Sequence, residues 1–83
     1  MRHADRVREY CKDKYIDPAR ARGATTVSIK AGDVHTALGF KNRLPLVCSA
    51  LGANVFEQFA QVERIAVDGR TNGANAVFTF RLE

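Results

Sequence analysis

The sequence predicts an α+β fold: a three-helix core packed against a small antiparallel sheet that closes in a C-terminal β-hairpin. Two changes of hydrophobic period and one turn signal carry that expectation. Apolar residues recur every three or four positions over residues 5–16 and again within 33–51. The period drops to two at 25–30, 62–67 and 76–82, and a glycine- and asparagine-bearing loop separates the last two runs.

In the first helical stretch Val7, Tyr10, Cys11 and Lys14/Tyr15 share a face, with Arg6, Glu9, Lys12 and Asp13 largely opposite. Asp17-Pro18 then reads as a new helix start, a carboxylate N-cap before proline at the first helical position. The short piece it opens, 19–22, stops at Gly23. Within 25–30, Val27 and Ile29 point one way and Thr26, Ser28 and Lys30 the other, which describes a short strand. Ala31-Gly32 is expected to turn the chain into a second helix over 33–38, with Val34, Ala37 and Leu38 inward. Asp33 suits the positive end of its dipole and Gly39 ends it.

Asn42 is a good N-cap for a third helix over 43–51. Pro45 is tolerated there because first-turn N–H groups have no intrahelical partner. Leu44, Val47, Ala50 and Leu51 form its buried stripe, and a further short helical turn over 54–60 packs Phe56 and Phe59. In the hairpin, Ile65 and Val67 are expected to face the core from one strand and Phe78, Phe80 and Leu82 from the other. A short strand between helices cannot stand alone, so it must join the hairpin in a three-stranded sheet. Helix, strand, helix, helix, strand, strand, with a tight turn between the second and third helices, is the order of a winged helix-turn-helix.

A chain of 83 residues buries one modest core, so 1–83 is read as a single domain. Its composition, 46% hydrophobic and 27% charged, is that of a globular protein. No apolar run approaches the roughly 20 residues that span a bilayer. The polar start Met1-Arg2-His3-Ala4-Asp5 does not read as a signal peptide, and a cytoplasmic protein is expected. Charge is uneven. Residues 1–43 carry ten basic and five acidic side chains, a balance of +5, whereas 44–83 carry three and four, a balance of −1. A basic half suits a polyanion, although the interleaved acids also fit an ordinary solvated helix face.

The stretch AGDVHTALGFKNRLPLVCSAL, from Ala31 to Leu51, resembles small prokaryotic winged-helix-like modules found alone or fused to restriction-type ATPases. The resemblance runs over about residues 7–82 and brings no catalytic motif with it. It implies a recognition helix in the DNA major groove and a wing on the adjacent backbone or minor groove.

If the third helix reads DNA, its exposed start is Lys41-Asn42-Arg43. Arginine bridges guanine O6 and N7, and asparagine pairs with adenine N6 and N7. Asn42 has two readings, base contact and helix cap. Ser49, about two turns on, suits a phosphate or base contact. Arg70-Thr71-Asn72 is the candidate wing tip, with a plain solvated loop as the alternative. Lys30, with His35 and Thr36 at the start of the second helix, is placed to touch the backbone, while Arg20 and Arg22 read as a solvated helix end. Five consecutive non-polar residues, Leu44 to Cys48, exceed one buried stripe. Pro45 or Leu46 should therefore lie exposed or against a partner. This motivates an alternative function, a protein-interaction module using the apolar surface of the third helix or the Phe56/Phe59 region.

The sequence points away from catalysis. His35 and Cys48 are the residues one would cast as base and nucleophile, but a thiol in an apolar helix is inert. Cys11 and Cys48 read as small reduced core residues, and His3 and His35 lack the paired spacing of a metal site. The expectation is a non-catalytic DNA-binding domain with no cofactor and no metal. Duplex DNA is the expected partner, beside a homodimer or a fused or partner effector.

Overall fold

A computed structural model of the chain describes residues 3–70 and 73–82. They form an α+β structure in the order α1 (His3–Cys11), a π-helical turn (Lys12–Ile16), α2 (Asp17–Ala21), β1 (Thr26–Lys30), α3 (Ala31–Ala37), α4 (Leu44–Gly52), α5 (Asn54–Ala60), β2 (Val62–Asp68) and β3 (Val77–Leu82). The sheet is antiparallel with β3 in the centre, in the order β1-β3-β2.

The first helix does not break at Asp17-Pro18. A proline ring inside an α-helix clashes with the carbonyl four residues back and offers no N–H. Here the backbone widens instead: the Asp17 N–H donates to the Lys12 carbonyl, a five-residue step, and the helix continues into α2. The core stripe follows that insertion, Val7, Cys11, Ile16 and Ala19 all being fully buried. The five-residue gap between Cys11 and Ile16 keeps both on one face. Asp17 is accordingly no cap; its carboxylate takes the Lys12 ammonium at 3.0 Å.

The helices α2 and α3 end in the same way. Gly23 adopts φ 78° while its N–H bonds the Arg20 carbonyl and the Ala24 N–H bonds the Ala19 carbonyl. Gly39, at φ 70°, repeats this with Thr36 and His35 as acceptors for Gly39 and Phe40. These are Schellman stops, which need a left-handed residue where glycine has no Cβ to clash.

α3 begins two residues earlier than expected, directly from β1. Its first N–H groups find partners in the hairpin: Ala31 donates to the Ala76 carbonyl at 2.9 Å and Gly32 to the Ala74 carbonyl at 3.0 Å. Ala31 and Val34 are buried and Leu38 is half-buried, but Ala37 is exposed, contrary to expectation.

The core lies between these helices and one face of the sheet. Phe78, Phe80 and Leu82 are buried from β3 and Ile29 from β1, with Phe80 edge-on to Phe56 at 5.1 Å. β2 departs from expectation. A bulge between Arg64 and Ala66 makes Ile65 the extra residue, and Ile65 and Val67 are 42% and 46% exposed. The inward position is taken by Arg64, opposite Phe80 in the ladder. Its guanidinium donates to the Gly52 carbonyl and to Glu57 at 3.1 Å. Phe59 is also 46% exposed, whereas Phe56 is fully buried.

Candidate nucleic-acid interface

The turn between α3 and α4 is defined by two left-handed residues and a hydrogen bond from Arg43. After the Gly39 stop, Asn42 enters the left-handed region at φ 55°, a conformation that asparagine tolerates better than most residues. Arg43, not Asn42, is then the residue flanking α4, at φ −120° and without a side-chain cap. This overturns the cap reading of Asn42: a left-handed residue one position too early cannot aim its amide at the first-turn N–H groups. Among the described residues its side chain makes no hydrogen bond and is exposed. The Arg43 N–H is instead satisfied by His35 Nε2 at 3.1 Å, reaching across from α3. That bond requires Nε2 unprotonated, so the proton of the neutral ring sits on Nδ1.

Phe40, at the base of this turn, had no role in the sequence reading. Its ring meets His35 edge-on at 6.0 Å and His3 of α1 at 5.3 Å, and the Arg6 guanidinium lies 5.5 Å from its centroid. The turn is thereby tied to the first helix through an aromatic and a cation–π contact. A hydrophobic residue directly after a helix-stop glycine was the available signal, since Schellman motifs pack that side chain.

Lys41, Asn42 and Arg43 are exposed together on this turn, and Ser49 is exposed on α4, about 9 Å further along the axis. Lys30 is exposed where β1 passes into α3. Arg70 is exposed in the β2–β3 loop, where its carbonyl accepts the Gly73 N–H at 3.0 Å. Thr71 and Asn72 lie outside the described residues. The returning arm of that loop is anchored on the helices: Ala74 and Ala76 receive the α3 N–H groups, and the Cys48 thiol of α4 lies 3.9 Å from the Gly73 carbonyl. Ser49, next to Cys48, thus stands beside the point where α4 meets the loop. A Cβ on Gly32 would lie 2.7 Å from the Ala74 carbonyl oxygen, so the close approach depends on glycine.

The electrostatic pattern separates these cations from those held in ion pairs. Arg8 pairs with Asp5 at 2.7 Å, Lys12 with Asp17, Lys14 with Asp13 at 3.7 Å, Arg64 with Glu57 and Arg81 with Glu63 at 2.9 Å. Arg20 donates to the Gln61 carbonyl, so it is not the solvated end expected for it. Among the described residues Lys30, Lys41, Arg43 and Arg70 form no ion pair; Arg6 and Arg22 also stand outside the pairs.

The apolar run of α4 is mostly absorbed by packing. Val47 and Cys48 are buried and Leu44 and Leu46 half-buried, leaving Pro45 exposed. Burial pushes the Cys11 thiol up to about 12, which keeps it protonated and unreactive near neutrality. Among the described residues, no three His, Cys, Asp or Glu side chains gather as a metal site, and no helix is long and apolar enough to cross a membrane. Compared with known proteins, the chain matches no family model, no curated protein and no solved structure.

Proposed function

We propose that this is a winged helix-turn-helix domain that binds duplex DNA and performs no catalysis, with α3 and α4 as the helix-turn-helix and the β2–β3 hairpin as the wing. The observation that carries the reading is the distribution of uncommitted positive charge. Lys41 and Arg43 on the α3–α4 turn, Lys30 at the entry to α3 and Arg70 on the hairpin loop are exposed and outside ion pairs. The strand order and the anchoring of the loop on α3 and α4 are compatible with a wing set beside a recognition helix.

In this mode α4 enters the major groove by its N-terminal end. Asn42, Arg43 and Ser49 are the groups able to read base edges, while Lys30, Lys41 and Arg70 neutralise phosphates. With Pro45 apolar and Leu44 and Leu46 half-buried, the outward side of α4 offers few other polar groups. Most of the affinity is therefore electrostatic and only weakly dependent on sequence.

Fluorescence anisotropy with random duplex DNA at two salt concentrations tests this. Binding should be present at low salt and fall steeply as salt rises, since each neutralised phosphate adds about 0.9 to the slope of log affinity against log salt. No binding at low salt would overturn the proposal.

A further inference from the structure

We infer that His35 is a positioning residue that holds Arg43 in place as the guanine-reading side chain of the proposed DNA surface. The inference deepens that reading and rests on it. The start of α4 lacks the usual means of fixing itself. Asn42 at φ 55° and Arg43 at φ −120°, ψ 18° both lie outside the right-handed helical and extended wells, and no side chain caps the helix from Arg43. In a capping box, the N–H of the flanking residue is taken by a Glu or Gln side chain at the third helical position. That position of α4 is Leu46, which carries no acceptor. His35 supplies the acceptor from the neighbouring helix, with Nε2 3.1 Å from the Arg43 nitrogen.

The imidazole is itself held. It follows the buried Val34 on α3, is half-buried, and meets Phe40 edge-on at 6.0 Å. Phe40 in turn packs against His3 and Arg6 of α1. The Arg43 backbone is thus tied to α3 by a hydrogen bond and to α1 through the rings behind it. Among the described residues, Lys30, Lys41 and Arg70 receive no side-chain hydrogen bond on their backbone. The difference governs what each cation can read. Neutralising a phosphate depends on charge and tolerates small shifts. A guanidinium bridging guanine O6 and N7 must instead present two N–H groups in the plane of the base. Contacts of that kind need the side chain held to about 0.5 Å by supporting bonds. Arg43 has that support, and no carboxylate among the described residues claims its guanidinium. His35 therefore acts through Arg43, and supplies what sequence preference the surface has rather than its electrostatic affinity.

Anisotropy titrations of the full chain with two pools of random-sequence duplex provide the test. One pool is natural; in the other every guanine is replaced by 7-deazaguanine, which removes the N7 acceptor and leaves the phosphate charge unchanged. The wild-type chain should bind the natural pool at least about fivefold more tightly. His35→Ala should bring that ratio close to one and leave the slope of log affinity against log salt unchanged, because no phosphate contact is removed. His35→Leu, which keeps bulk against Phe40 but has no acceptor, should do the same. Arg43→Ala should abolish the ratio and also lower the slope by about 0.9. His35→Gln, which keeps an acceptor, should restore most of the ratio. His35→Ala added to Arg43→Ala should change the ratio no further, as expected of a residue that acts through Arg43. Equal binding of the two pools by the wild type, or a ratio that survives in His35→Ala and His35→Leu, would overturn the inference and leave the DNA reading standing. Failure of the wild type to bind either pool at low salt would remove both.

Discussion

Two groups among the cations of this small protein behave differently. One group has carboxylates at hand: Arg8 of α1 with Asp5, Lys12 of the π-helical turn with Asp17, Arg64 of β2 with Glu57 and Arg81 of β3 with Glu63. Those around the α3–α4 turn and the hairpin loop, Lys30, Lys41, Arg43 and Arg70, have none among the described residues. Both groups are largely at the surface, so neither contributes much to stability. The difference lies in what each leaves for a partner. A paired cation presents little net field, whereas exposed unpaired ones leave charge that counter-ions must balance and that a polyanion can neutralise.

The comparison can be broken most directly by removing charge from each group. Arg43→Ala with Arg70→Ala should lower DNA affinity about 100-fold at low salt, at roughly tenfold for each contact. The matched pair Lys12→Ala with Arg81→Ala should change it less than about twofold, because those charges are already compensated. Anisotropy titrations of both double variants decide it, and equal losses would abolish the distinction.

Next in size is the joint that holds the loop beside the helices. Gly32→Ala would drive a methyl group against the Ala74 carbonyl and disturb the bond that caps α3. The expected destabilisation is about 2 kcal/mol, the ordinary range for forced overpacking, read by urea denaturation. An unchanged midpoint would mean that the loop yields, and that Arg70 is less firmly placed than Arg43.

His35→Ala should be milder, about 1 kcal/mol, through the loss of the acceptor for the Arg43 N–H and of the contact with Phe40. His35→Gln, which keeps an acceptor, should recover part of it. The smallest effect is on the stability of the paired group itself: Lys12→Ala should shift unfolding by no more than about 0.5 kcal/mol in the same assay. A larger loss would show that the ion pair with Asp17 supports the π-helical turn.

The points where the sequence misled share one origin. Asp17-Pro18 carries a strong local start signal, yet the packing of Val7, Cys11, Ile16 and Ala19 on one side favours a continuous helix with one inserted residue. Asn42 is a good cap by composition, but the chain must reverse between α3 and α4, and that reversal uses its left-handed conformation. Alternation made Ile65 and Val67 inward; a bulge shifted the pattern and gave the inward place to Arg64, which α5 can satisfy through Glu57. In each case a neighbouring element set the outcome, and no window of adjacent residues contains that neighbour.

By itself the sequence determined the element order, the antiparallel sheet, the glycine stops at Gly23 and Gly39, the inward face of β3 and the unequal distribution of charge. These depend on period, backbone freedom and composition, which are local. Only the tertiary structure decided which cations remain uncommitted, that the hairpin loop caps α3 and rests on α4, and that Val55 and Phe59 face outward beside α1. Those outcomes depend on which groups, far apart along the chain, come within a few ångströms. That distance is set by the packing of the whole core rather than by any segment of it.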